Sequence, residues 1–138
     1  MNPTDLQLLS FVEENINDFE SDLSDPITVK EFLTGVSGLP NNKATCFDRI
    51  SNEILKTAKF VIAEPTVKLF NAILSNSLYP SQWKMDILTP IHKSGEKSDP
   101  NNFRGVAVSS CFGKLFNKIM QKRLENRCKE NNRTTETL

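Results

Sequence analysis

Lysine and arginine crowd the second half of this sequence, and they are the side chains with the plainest chemistry to offer. From Lys84 to Arg133 the bases are Lys84, Lys93, Lys97, Arg104, Lys114, Lys118, Lys122, Arg123, Arg127, Lys129 and Arg133, against Asp86, Glu96, Asp99, Glu125 and Glu130. From Asp5 to Glu31 the balance reverses: Asp5, Glu13, Glu14, Asp18, Glu20, Asp22, Asp25 and Glu31 stand against Lys30 alone. A formal net charge of zero, from 17 basic and 17 acidic residues, hides this asymmetry. Lys and Arg neutralise backbone phosphate, so a basic half is what a nucleic-acid-binding surface requires. A solvated basic face has the same composition, and charge alone leaves both readings open.

Other reactive side chains are sparse. Cys46, Cys111 and Cys128 are odd in number and far apart, whereas a structural zinc site needs four ligands in close pairs, so buried or idle thiols are expected and no metal site. His92 has no sequence neighbours suited to share a metal. Asn132-Arg133-Thr134 matches a glycosylation sequon, but the N-terminus has no basic region or cleavage site of a secretory signal. No run approaches the roughly 20 apolar residues that span a bilayer. The expectation is an intracellular chain without a membrane partner, in the nucleus or the cytoplasm.

The elements that must position these charges follow from hydrophobic spacing. At 138 residues the chain has the length of one compact domain or of a piece of a larger one. Thr4 to Gln7 has capping-box spacing, and Leu6, Leu9, Val12, Ile16 and Phe19 then recur at steps of three and four, which predicts an N-terminal helical extension over residues 1–25. Thr28 to Glu31 repeats the start signal ahead of Phe32, Leu33 and Val36, with Gly38 and Pro40 as the stop. Asp48 or Ser51 caps a third helix through Ile54, Leu55 and Ala58, and Pro65 opens a fourth through Phe70, Ile73 and Leu78. Residues 85–91 and 103–108 are β-compatible and separated by a loop rich in turn residues, which predicts an antiparallel hairpin with one face covered by helices. From Cys111 to about Asn131 helical spacing returns: Phe112, Leu115, Phe116, Ile119, Met120 and Leu124 form an apolar side, and Lys114, Lys118, Lys122, Lys129 and Arg133 gather beside it. The fold class is α+β, mainly helical, with about five helices.

Six segments in order also resemble one known family. Asn41-Asn42-Lys43-Ala44 with Asp48 to Lys56 is similar to the "NNKAxGxDgI…ExLK" stretch of the reverse transcriptases of jockey-like and other LINE-type, non-LTR retrotransposons. The resemblance continues through Leu69-Phe70-Asn71, Pro80 to Lys84, Pro90 to Gly95 and Asp99 to Gly105, and closes with Ser109 to Ile119 and Arg123-Leu124. It implies that residues 26–138 are a partial reverse transcriptase domain, the fingers side of an incomplete right-hand polymerase fold. For the intact enzyme it implies RNA-directed DNA synthesis on an RNA template with a DNA primer, a deoxynucleotide and Mg²⁺. The family's catalytic aspartates fall beyond the matched stretch, and Asp86 and Asp99 do not match their motifs. No catalytic residue, and no cofactor of this chain's own, is therefore assigned, and inactivity in isolation is expected.

The resemblance assigns roles residue by residue. Lys93 and Arg104 match basic residues of the fingers hairpin that contact the incoming triphosphate, Lys as a compact charge and Arg as a planar fork. Lys43 and Asp48 match a loop that lies near the template strand. Thr45 to Arg49 departs from the pattern, which usually has a Pro/Gly-rich run with glycine after the aspartate; Cys46 and Arg49 cannot take a positive φ cheaply. That departure suits a decayed copy of a mobile element, and an inert or protein-interacting remnant is the alternative reading. Trp83, Phe103, Phe112 and Phe116 are expected in the core and not as base-stacking platforms.

Overall fold

The computed structural model describes residues 23–136, with side chains through residue 132. The predicted helical extension at the N-terminus lies largely outside the described residues. Three helices and one two-stranded sheet make up the described chain: α1 (Val29–Ser37), α2 (Asn52–Asn76), β1 (Ile87–His92), β2 (Phe103–Val108) and α3 (Cys111–Glu136). Short 3₁₀ turns at Ser81–Lys84 and Pro100–Asn102 precede the two strands.

Helix α1 forms where the capping box predicts it. The Thr28 hydroxyl accepts from the Glu31 amide (3.2 Å) and the Glu31 carboxylate accepts from the Thr28 amide (2.9 Å), which satisfies two otherwise orphaned donors. Its inward face buries Phe32 and Val36 completely. At its other end Lys118 Nζ donates to Gly38 O at 2.8 Å, a cation where the helix dipole is negative.

Helix α2 corrects the expectation of two helices meeting at Pro65: it runs unbroken for 25 residues, capped by Ser51 through a bond from the Ile54 amide. One face carries Leu55, Ala63, Val67, Phe70 and Ile73, all buried, so tertiary packing favours a single helix across the proline. Pro65 and Val61 lie on the opposite, exposed face. The carbonyl deprived of its amide partner by the proline is therefore on the side where water reaches it, which limits the cost of an internal proline.

The core sits where α1 and α3 cross α2. Phe70, fully buried, meets Phe116 edge-on (centroids 5.3 Å), Trp83 edge-on (6.0 Å) and Phe32 (6.4 Å). Trp83 stacks on Phe112 with 5° between the planes. The 3₁₀ turn at Ser81–Lys84 thus delivers Trp83 to the core, as the sequence predicts. Gly35 lets α1 approach α3 closely, since a Cβ there would stand 2.9 Å from Leu115 Cδ1. Leu124, expected on the apolar side of α3, is instead 43% exposed.

The hairpin is antiparallel, pairing Ile87 with Val108 through to His92 with Phe103. Its turn is organised by Lys93 N–H donating to Asn102 O (2.7 Å), Asn102 Nδ2 donating to Glu96 O (2.9 Å) and a His92 Nε2 contact to Gly95 O (2.9 Å). Gly95 has φ +81°, the one glycine here in the left-handed region. The expected helical cover is not found: Leu88 and Ile91, on opposite faces of the ribbon, are 71% and 51% exposed. The reason is placement. Phe103 packs its ring on His92 within the hairpin (5.3 Å) and not in the core, so the ribbon projects from the helices and is held at its base and through its own turn.

Candidate nucleotide and nucleic-acid interface

Lys93 and Arg104 are brought to one end of the ribbon by its register. Arg104 pairs with Ile91, and Lys93 follows two residues later, opposite Asn102. Residues two apart along a strand share a face, so Lys93 and Arg104 occupy diagonal positions on one face, roughly 7–8 Å apart at the backbone. Both side chains are exposed. This pairing depends on a turn of fixed length: loss or gain of one residue between His92 and Asn102 would reverse the face of one partner.

The loop from Asn41 to Arg49 is held by polar contacts to α2 and α3. Asn41 Oδ1 accepts from Lys56 Nζ (2.6 Å), the Asn42 amide donates to Glu53 Oε1 (2.6 Å), and Asn52 Nδ2 donates to Pro40 O (2.8 Å). The two asparagines are thus occupied in shaping the loop, Asn42 in a left-handed conformation (φ 56°) that asparagine tolerates. Lys43 is left exposed. Asp48 has two intramolecular partners: its carboxylate accepts from the Ile50 amide (3.0 Å) and from Ser110 Oγ (3.0 Å) at the start of α3. The loop is further fixed by Cys111 Sγ donating to Ile50 O (3.0 Å). Burial pushes the Cys111 thiol up, and the nearby Asp48 carboxylate adds to it, so this cysteine is a packing group and not a nucleophile.

Arg49 has φ 55°. A side-chain-bearing residue there costs about 1–2 kcal/mol, while glycine would add about 0.4–1 kcal/mol of unfolded-state entropy. The balance favours glycine: Arg49→Gly is expected to stabilise the chain by about 0.5–1 kcal/mol, read as a higher urea midpoint at unchanged slope. A lower midpoint would show that the guanidinium makes a compensating contact.

On α3, Lys114, Lys118 and Lys122 are exposed along one stripe, but they are not equivalent. Lys118 is committed to Gly38 O, and Lys118 and Lys122 line a groove against α1 while Lys114 does not. Sequence spacing missed the most heavily bonded cation altogether. Arg123 donates to both oxygens of Glu31 (2.7 and 2.9 Å) and to the carbonyls of Asp25 (2.6 Å), Pro26 (3.1 Å) and Leu23 (3.5 Å). Nothing local announces it, since these partners lie more than ninety residues away. Hydrogen bonding from Arg123 holds the Glu31 carboxyl below its ordinary range, against a smaller opposing effect of burial.

Asp99 Oδ1 is occupied by the Asn101 amide (2.9 Å) as the cap of a turn, and among the described residues no three His, Cys, Asp or Glu converge on a point. No step through Mg²⁺ is assigned to this chain. No described helix is long and apolar enough to cross a membrane.

Comparison with known proteins gives the lineage of this arrangement. No family model matches the chain. It is 30% identical over 102 residues, 73% of its length, to a probable RNA-directed DNA polymerase from transposon BS of Drosophila melanogaster. It is also 31% identical over 101 residues to the probable polymerase from transposon X-element, and 25% identical over 99 residues to that of the mobile element jockey, both of the same fly. The chain is thus a homologue of RNA-directed DNA polymerases encoded by transposable elements. More narrowly, its relatives are those of non-LTR retrotransposons, jockey among them. It spans about 11% of the length of the first two of these relatives.

Proposed function

We propose that this chain is the fingers-side part of a non-LTR reverse transcriptase, and that its hairpin holds the phosphates of the incoming nucleotide through Lys93 and Arg104. The observation that carries this reading is the register that sets both cations diagonally on one exposed ribbon face. A polyphosphate laid across that face meets a mobile ammonium at one end and a two-pronged guanidinium at the other, which orients as well as attracts it. In the intact enzyme the template RNA, the DNA primer and the metal-holding carboxylates come from or bind to the remainder of the polymerase. Lys43 in the 41–45 loop and the α3 lysines supply sequence-tolerant phosphate contacts of the kind that position a strand without reading it. Asp48 belongs to the template side through the loop it shapes, since its own oxygens are engaged.

The test is a titration of the chain with inorganic triphosphate, followed by amide and side-chain NMR shifts. A dissociation constant around 1 mM, about 4 kcal/mol, is expected, with hairpin shifts diminished in both Lys93→Ala and Arg104→Ala. Shifts of equal size in parent and variants would remove the hairpin site.

A second reading has one observation in its favour. Arg49 sits in a left-handed conformation where the resembled family usually has glycine, which fits a decayed element whose product keeps a helical core without function. Unaltered hairpin spectra throughout the triphosphate titration favour it.

A further inference from the structure

Helix α2 is apolar on both sides. Its inward face buries Leu55, Ala63, Val67, Phe70 and Ile73 in the core. Its outward face carries Ile54, Ala58, Val61, Pro65, Lys68 and Ala72, separated by alternating steps of four and three, the interval at which residues line the seam between paired helices. A helix with apolar stripes on opposite sides is one that is covered on both. On the outward side Ile54 is 53% exposed and Val61 83%, while Phe60 and Leu69, which flank the stripe, are 75% and 45% exposed.

The stripe is complementary to its own reverse. Set antiparallel against a copy of itself about a midpoint at Ala63, it places Ile54 opposite Ala72, Ala58 opposite Lys68 and Val61 opposite Pro65. The two long side chains, Ile54 and Lys68, thus each meet an alanine. A two-fold interface requires such a self-complementary patch, whereas contact with an unrelated surface does not. Charge does not oppose the approach, since Glu64 and Lys68 in the middle of the face pair with each other at 3.4 Å, and the Lys68 stem can lie along the seam with its ammonium at the edge. The four large exposed side chains leave on the order of 400 Å² of apolar surface in water, the size of a patch that marks an interaction site. Counted on two copies, with Thr57, Glu64, Pro65 and Lys68 beside them, the surface covered passes the roughly 1,000 Å² of a specific interface.

We propose that this chain pairs with a second copy of itself through the outward face of α2, the two helices antiparallel about a two-fold axis at Ala63. The contact uses neither Lys93 nor Arg104, and either reading of the chain's function leaves it standing.

Sedimentation equilibrium of the full chain tests it. A mass of two copies is expected, with a dissociation constant on the order of 10 µM, as suits a small specific interface. Val61→Glu sets two carboxylates close to the axis and should weaken the pairing about tenfold or more, with the near-UV circular dichroism of Trp83 unchanged because Val61 lies almost wholly in water. Orientation is read from Ile54→Lys/Ala72→Glu, whose new charges lie about 27 Å apart along one helix and face each other only between antiparallel copies. Carbodiimide treatment should join positions 54 and 72, identified by peptide mass spectrometry. A mass of one copy at every concentration overturns the proposal, as does a dimer indifferent to Val61→Glu or one that yields no link between positions 54 and 72. A single copy whose Val61 methyl groups are shielded from a soluble paramagnetic agent overturns it in favour of another segment of the same chain.

Discussion

Phe70→Ala is expected to cost about 3–5 kcal/mol, a large share of the roughly 5–15 kcal/mol by which a small domain is stable. Phe70 is fully buried in α2 and is the ring against which elements far apart in sequence meet: Phe32 from α1, Trp83 from the 3₁₀ turn and Phe116 from α3. Truncation removes both the transfer free energy of the ring and three aromatic contacts at once. The surrounding rings cannot collapse into the space, because each is fixed by its own helix or turn. Trp83 gives the readout: its near-UV circular dichroism should be lost in Phe70→Ala and retained in Phe70→Leu, which keeps most of the volume. A Phe70→Ala variant with an unchanged urea midpoint would mean that the aromatic cluster does not organise the core.

How much of this was legible in the sequence depends on the range of the interaction. Helix α1 was, because its start signal is local: Thr28 and Glu31 satisfy each other's amides. The hairpin was too, since a polar turn between two apolar runs fixes an antiparallel return and the parity of Lys93 and Arg104. Pro65 misled because a proline is a local stop signal, whereas the continuous buried face from Leu55 to Ile73 is a tertiary one, and packing outweighs one missing amide on the solvent side. The open faces of the ribbon were unreadable for the same reason, since alternation says that a strand has two faces and not what lies against either. In the candidate site the basic residues were visible as types, but their division of labour was not. Lys118 caps α1 and Asp48 holds the start of α3 across 62 residues, and no spacing rule reaches that far.

Arg123 is the clearest case, and removing it has the second-largest expected effect. Arg123→Ala takes away two bonds to Glu31 and three to the carbonyls of Leu23, Asp25 and Pro26. The Arg123 side chain is 14% exposed and that of Glu31 32%, so water recovers part of the loss on the carboxylate. A cost of about 2–3 kcal/mol is expected, below that of a fully buried pair broken on one side. Arg123→Lys should recover little, since one ammonium cannot fork to a carboxylate and reach the carbonyls together. The pair also carries a pH signature. Bonding to Arg123 lowers the Glu31 carboxyl from its ordinary value of 4.5 in the folded chain. A depressed folded value means that the unfolded chain binds the proton more readily, so the stabilisation is fully present above about pH 4.5 and is lost as pH falls through the folded value. Urea midpoints of the parent and of Glu31→Gln, which keeps the capping box but not the charge, should therefore differ at pH 7 and converge toward pH 3. In an Arg123→Ala background the two should run parallel at every pH. Convergence that persists without Arg123 would locate the acid-sensitive bond at the Thr28 cap instead.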